Sequence, residues 1–270
     1  MHSINIIGAG RVGTTLLRLF GSHVNDVASA RFSSAEAIVL KTGHARATHL
    51  PEMSQADLWV LTVPDDEISK LSQVLATLDF PPAIAIHCSG FHVADEMAPL
   101  RAKGWHLGSA HPNLSFADPE TAATQFAGTY VGLEGDPEAF VAADDVFTAI
   151  GAKTFSISTS DKALYHAAAV VSNNFTTVLQ GAAQQIWAKA GVPNNVAAAL
   201  GDALLRSAAE NVATLGPAAA LTGPASRGDR AVVEVETQAL TAWNDEAGQL
   251  YADLSKLAAR LKRTGQSFDK

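Results

Sequence analysis

Ile4-Asn5-Ile6-Ile7-Gly8-Ala9-Gly10-Arg11-Val12-Gly13 is the stretch whose reading decides the fold. Its apolar start reads as a buried strand, and three glycines follow at G-x-G-x-x-G spacing. Thr14 to Phe20 then has helical character. A dinucleotide needs each of these pieces. Gly8 permits the tight turn out of the strand, and Gly10 lets the backbone approach a pyrophosphate. Gly13 lets helix and strand pack closely, while the N–H groups at the helix start face the phosphate charge. The glycine spacing alone is a weak signal. Strand before and helix after supply the context it requires. Gly8, Gly10, Arg11, Val12 and Gly13 are therefore cofactor-binding candidates.

Working outward, the 270 residues suffice for two domains. A hydrophobic content of 47% against 17% charged is that of a globular chain. The net charge of −8 argues against nucleic acid or an anionic membrane as a partner. The single cysteine, Cys88, excludes an intrachain disulfide and fits a reducing cytoplasm. With a strand starting at Ile4 and no long apolar run, neither signal peptide nor membrane span is expected. Composition shifts near residue 158, from short apolar runs and turns to an Ala- and Leu-rich tail. The expected class is α/β, a Rossmann-type doubly wound and mostly parallel sheet over 1–158. An all-helical domain over 159–270 would follow, for substrate binding and dimerisation.

Within the first domain, Asp26–Ala30 reads as the second strand, with Arg31-Phe32-Ser33-Ser34 at its end. NAD enzymes usually place Asp or Glu here for the ribose hydroxyl. Arg31, with Ser33 and Ser34, suits a 2′-phosphate instead and favours NADP. Further strands are expected at Asp57–Val63, Ala83–Ile86, Trp105–Leu107, Thr129–Leu133 and Lys153–Ile157, with a helix from Pro137 to Ile150. Loops at the carboxyl edge of such a sheet bind ligands. Thr62, Val63 and Pro64 are candidates beside the nicotinamide ribose. Ser89, Gly90 and His111, the last held extended by Pro112, are candidates for substrate. Nine histidines raise the question of a metal, but H-E-x-x-H and a cysteine pair are lacking, so no metal site is expected.

In the helical half, Lys162 to Ala190 reads as one long helix, with N-cap candidates in Ser158–Asp161 and Gly191 at its end. At ~100° per residue, His166 and Asn173 lie about 40° and 20° from Lys162, on one stripe. An amine, an imidazole and an amide facing one way suit a carbonyl substrate bearing an anion, and these three are the catalytic candidates. A second helix is expected at Asn194–Leu215, and final helices N-capped by Asp229. Arg227, in the loop before them, suits a carboxylate clamp or an ion pair with Asp229.

Together, Gly8–Gly13, His87-Cys88-Ser89-Gly90, His111-Pro112, Tyr165-His166-Ala167-Ala168-Ala169 with Ser172-Asn173, and Leu221-Thr222-Gly223-Pro224 with Arg227-Gly228-Asp229 resemble a bacterial family. That family joins a Rossmann-like domain to a helical domain of unknown function, DUF2520. The resemblance covers nearly the whole chain. It implies kinship with 6-phosphogluconate dehydrogenase, ketopantoate reductase and pyrroline-5-carboxylate reductase-like enzymes. In that superfamily a lysine and an asparagine on the first helix after the Rossmann domain carry catalysis and substrate binding. Lys162 and Asn173 fall at comparable places, while His166 stands where ketopantoate reductases have asparagine. The resemblance therefore implies the fold more closely than the substrate.

The expected protein is a cytoplasmic NADP-dependent oxidoreductase and a homodimer. It would move a hydride to a small anionic carbonyl substrate, such as the 2-oxo acid ketopantoate, in an interdomain cleft. Lys162 is the first choice of proton donor and His166 the second. An imino-acid or deazaflavin-linked reductase, and a non-catalytic NADP-binding sensor, are the alternatives.

Overall fold

A computed structural model describes residues 2–269. The chain divides into two compact units between Asn173 and Asn174. The first is built on eight strands: β1 (Ile4–Ile7), β2 (Val24–Ala28), β3 (Arg46–Ala47), β4 (Leu58–Leu61), β5 (Ile84–His87), β6 (His106–Pro112), β7 (Tyr130–Gly135) and β8 (Lys153–Ser156). They form one sheet in the order β3-β2-β1-β4-β5-β6-β7-β8. From β3 to β6 all neighbours are parallel; β7 runs antiparallel to β6, and β8 parallel to β7.

This order follows from the apolar runs. Every residue of β1 and of β4 is buried, as strands covered on both faces must be. Successive side chains alternate between two core layers. Ile6, Val60 and Ile86 lie in one layer with Leu16, Leu17 and Phe147. Ile7, Leu61 and Leu107 lie in the other with Ile68, Leu75 and Trp105. Helices α1 (Arg11–Phe20), α2 (Phe32–Thr42), α3 (Ile68–Thr77), α4 (Ala98–Arg101), α5 (Pro119–Thr124) and α6 (Pro137–Ala149) supply the cover. The chain departs from β1 to β2 on one side and to β4 on the other, which makes the carboxyl ends of β1 and β4 the topological switch point.

Most strand bounds shift by one or two residues from those expected, and two of the shifts bear on candidate residues. The second strand spans Val24–Ala28 instead of Asp26–Ala30, so Arg31 lies beyond it, at the N-cap of α2. The sixth runs on past Leu107 to Pro112, because Gly108 to Pro112 pair with β7. That extension puts His111 inside the strand, opposite Gly132.

The long helix expected from Lys162 to Ala190 is interrupted. α7 (Lys162–Ala169) gives way to a π-helical segment, Val170–Asn174, before α8 (Phe175–Lys189). A π turn adds residues relative to the α repeat, so the ~100° step does not carry through it. Lys162 and His166 keep their spacing. Asn173 loses the register that placed it on their stripe.

In the second unit α8 is followed by α9 (Asn194–Leu215), α10 (Pro217–Ala220), α11 (Pro224–Arg227), α12 (Arg230–Trp243) and α13 (Asp245–Thr264). Asn244 caps α13 by accepting from the Ala247 N–H at 2.9 Å. Asp229 occupies the N-cap position of α12 but makes no side-chain cap there, since its carboxylate pairs with Arg227 at 3.0 Å. Among the described residues, no helix is long and apolar enough to cross a membrane.

Candidate active site

The glycine turn is built for close approach. Gly8 has φ +121°, and a Cβ there would collide with Thr62. A Cβ at Gly13 would collide with the Gly8 carbonyl and the Thr62 hydroxyl. Thr62 locks the turn by donating to the Gly8 carbonyl at 2.9 Å. Gly10, at the N-cap of α1, has nothing within 4 Å of a built Cβ. Packed glycines thus flank an open one, beside helix N–H groups that have no carbonyl within the helix. These residues fit a pyrophosphate. Arg11 is exposed at the start of α1, and Val12 packs against the core. Val63 packs into the second core layer and Pro64 is exposed. Arg31 and Ser33 are exposed and Ser34 half-buried, next to Phe32, whose ring stacks on His49 at 4.8 Å.

The loop after β5 is held from within. His87 is fully buried. Its Nδ1 accepts from the Ser89 N–H at 3.2 Å, so its proton sits on Nε2 and is donated to the Val93 carbonyl at 3.0 Å. Burial, then the nearby Lys162 charge, lowers its pKa to about 3 and keeps it neutral. Ser89 donates to Asp65 at 2.9 Å and accepts from the N–H groups of Phe91 and His92. Its hydroxyl therefore ties the loops after β4 and β5 together. Burial pushes the Cys88 thiol up to about 12, so it is no thiolate at neutral pH.

The turn at Gly90 brings two imidazoles against the chain. A Cβ there would stand 2.5 Å from His166 Cδ2 and 2.7 Å from His111 Nε2. Glycine is the residue that leaves them room. The two rings lie 5.7 Å apart, edge to face. His111 Nδ1 is 2.8 Å from the Tyr165 hydroxyl, which also accepts from Asn113 Nδ2 at 2.5 Å. Burial first, then His166 and Lys162, lowers the His111 pKa to about 4. Tyr165 is raised by burial.

Lys162 lies elsewhere than its expected role requires. Its side chain is 1% exposed, and its ammonium donates to Ser109 Oγ and pairs with Glu134 at 3.5 Å. Glu134 also accepts from the Ala94 N–H, Ser109 and Thr159. Burial lowers the lysine to about 8 against the opposing pull of Glu134. The amine is enclosed and held on two sides, by Ser109 and Glu134. Asn173 is exposed in the π segment, and Arg227 is exposed and paired with Asp229. The structure thus groups Gly90, His111 and His166. Asn113, Tyr165, Asp65 and Glu134 join them without having been candidates; Asn113 follows His111 by two residues and Tyr165 precedes His166, whereas no local spacing ties Asp65 and Glu134 to the site.

Residues 1–112 match the Rossmann-like domain family, and residues 129–258 match the domain of unknown function DUF2520. The two matches follow one another along the chain. No curated protein matches this chain. Among solved structures it is similar to protein TM1727 from Thermotoga maritima, with 25% identity, 97% of this chain and 99% of that one covered, and a TM-score of 0.78. It also resembles a pyrroline-5-carboxylate reductase from Coxiella burnetii, at 17% identity, 96% and 98% coverage and a TM-score of 0.62. A reductive aminase from Aspergillus terreus, solved with NADPH and ethyl-5-oxohexanoate, has 17% identity, 100% and 96% coverage and a TM-score of 0.62. At such identity the last two establish a shared fold.

Proposed function

We propose that this protein is an NADP-dependent oxidoreductase acting on a small anionic carbonyl or imine compound, a 2-oxo acid or an imino acid. The observation that carries the reading is the Gly90 turn. It sets two imidazoles side by side on the unit whose sheet bears the glycine cradle, among loops at the carboxyl edge where ligands of such sheets bind. The similar folds named as a pyrroline-5-carboxylate reductase and a reductive aminase support the reaction class. The packed Gly8 and Gly13 around the open Gly10 would hold the pyrophosphate. Arg31, Ser33 and Ser34 would hold the 2′-phosphate. When bound, the nicotinamide would supply the hydride. His111 and His166 orient the acceptor and stabilise charge on its heteroatom. Lys162 lies behind them, paired with Glu134 and donating to Ser109, and fixes the β6–β7 pair that carries His111.

We also propose a cytoplasmic homodimer formed through the helical unit, where Val178, Leu204, Leu215 and Val235 are exposed. Light scattering should give twice the 28.2 kDa chain mass at micromolar concentration; the mass of one chain would remove that claim.

Calorimetric titration tests the cofactor. NADPH should bind more tightly than NADH, and Arg31→Ala should erase about 10- to 150-fold of that preference, the equivalent of one charge-assisted bond of ~1.5–3 kcal/mol. Equal affinities in the unmodified protein would reject NADP as the cofactor of choice.

A further inference from the structure

His111 has two ring nitrogens, and the structure gives them different tasks. Nδ1 meets the Tyr165 hydroxyl at 2.8 Å, and Nε2 turns toward Gly90. Which nitrogen carries the proton follows from the group beyond the tyrosine. Asn113 Nδ2 lies 2.5 Å from the Tyr165 oxygen, 3.3 Å from the Tyr130 carbonyl and 3.4 Å from the His111 carbonyl. Reversing that amide would set its oxygen against two carbonyl oxygens. The NH2 group therefore faces Tyr165, and an amide NH2 only donates. The phenol oxygen accepts from Asn113, and its single proton is left for His111 Nδ1. An Nδ1 that accepts puts the proton of a neutral ring on Nε2.

We propose that Asn113 and Tyr165 are positioning residues that lock His111 as the Nε2–H tautomer, and that this N–H is the donor to the developing negative charge of the acceptor heteroatom. The inference rests on the oxidoreductase reading and names the group that performs its polarising step. The geometry supports it twice more. Gly132, opposite His111 in the sheet, is the residue that makes room for the phenol, since a Cβ there would stand 2.8 Å from the Tyr165 hydroxyl. The charged and titratable groups acting on the ring are His166 from α7, Lys162 from the same helix and Asp65 from the loop after β4. Burial and the first two outweigh Asp65 and hold His111 neutral, as the tautomer argument requires. A neutral imidazole donates without adding a full charge to the loop and leaves the reacting heteroatom of the acceptor unprotonated until reduction begins.

Nitrogen-15 NMR of the histidine rings in the whole protein at pH 7, without substrate, tests the lock directly. The His111 resonances should show a protonated Nε2 and an unprotonated Nδ1. Asn113→Ala, at an exposed position, removes the donor that turns the phenol proton toward His111, and the ring should then populate both tautomers. Tyr165→Phe should give a mixture of tautomers. An imidazolium, or an Nδ1–H ring, in the unmodified protein overturns the proposal whatever the activity. In turnover, Tyr165→Phe should lower kcat about tenfold or more with NADPH affinity kept, and His111→Phe about a hundredfold. Unchanged kcat in both variants overturns the role of the N–H while leaving the oxidoreductase reading intact. Failure of the unmodified protein to bind NADPH rejects that reading and the donor role together, and leaves the tautomer lock standing or falling on the NMR alone.

Discussion

The two units treat the same residue types in opposite ways. In the sheet unit Ile4, Ile6, Leu58 and Val60 are 0% exposed, whereas Val178, Leu204, Leu215 and Val235 of the helical unit are 58–65% exposed. Ala197 is the one fully buried hydrophobic residue of the helical unit among the described residues. Charges follow the same division. The sheet unit encloses Lys162 and Glu134, while Arg206–Asp202 and Lys256–Asp253 lie on exposed helix faces. A sheet covered on both faces closes its own core and holds the side chains within it by close packing. The helical unit leaves large apolar side chains exposed in the single chain. Rigid placement, the requirement of a catalytic group, belongs to the first unit.

Removing one partner of an ion pair should separate the units most sharply. Lys162→Met should cost about 3–5 kcal/mol, because Glu134 is left buried without its cation. Lys256→Met should cost no more than ~1 kcal/mol. Adding Glu134→Gln to the first variant should restore part of the loss. Urea unfolding measures all three, and a Lys162→Met protein as stable as the parent but inactive would return the lysine to a direct catalytic role.

Truncated leucines should divide in the same way by a smaller margin. Leu58→Ala is expected to cost about 2–5 kcal/mol by emptying part of a closed core. Leu204→Ala, measured at concentrations low enough to keep the chain monomeric, should stay within ~1 kcal/mol. Similar losses at both sites would mean that the helical unit has a core of its own.

Acid should act on the sheet unit alone through histidine, since no histidine follows His166. His87 and His111 fall to about 3 and 4 in the folded chain, against ~6.5 unfolded. Below 6.5 the unfolded state binds protons that the folded state refuses, so stability declines as pH falls from 6.5 toward 3–4 and levels off below. Each histidine contributes at most ~1.4 kcal/mol per pH unit in that window. His87→Gln should lower the slope by about one proton. A melting temperature that is flat from pH 6.5 to 4 would contradict both assignments.

Much of the sheet unit was legible in its sequence because its signals are local. Ile4 to Gly13 specifies strand, turn and helix within one span, and Leu58–Leu61 reads as a buried parallel strand from its composition alone. What was not legible depends on partners far along the chain. Lys162 looks like a polar group on a helix face until Glu134, on an antiparallel-paired strand, meets it in the core. Tyr165 and Asn113 are 52 positions apart, and their bond to His111 needs the extension of β6 that pairing with β7 creates. The π segment at Val170–Asn174 removed Asn173 from a stripe computed on an unbroken α repeat. The Gly90 turn lay between the two, visible as a glycine in a motif but not as the contact of two imidazoles.

The central claim is that the sheet unit carries a reductase site with His111 as a polarising donor. Its most direct test follows NADPH absorbance on mixing the protein with 2-oxo acids, imino acids and neutral aldehydes, for the parent and for His111→Phe. The account predicts oxidation of NADPH with an anionic acceptor, and a rate about a hundredfold lower in the variant at unchanged NADPH affinity. Tight NADPH binding with no turnover of any acceptor class would contradict it and mark the protein as a cofactor-binding sensor.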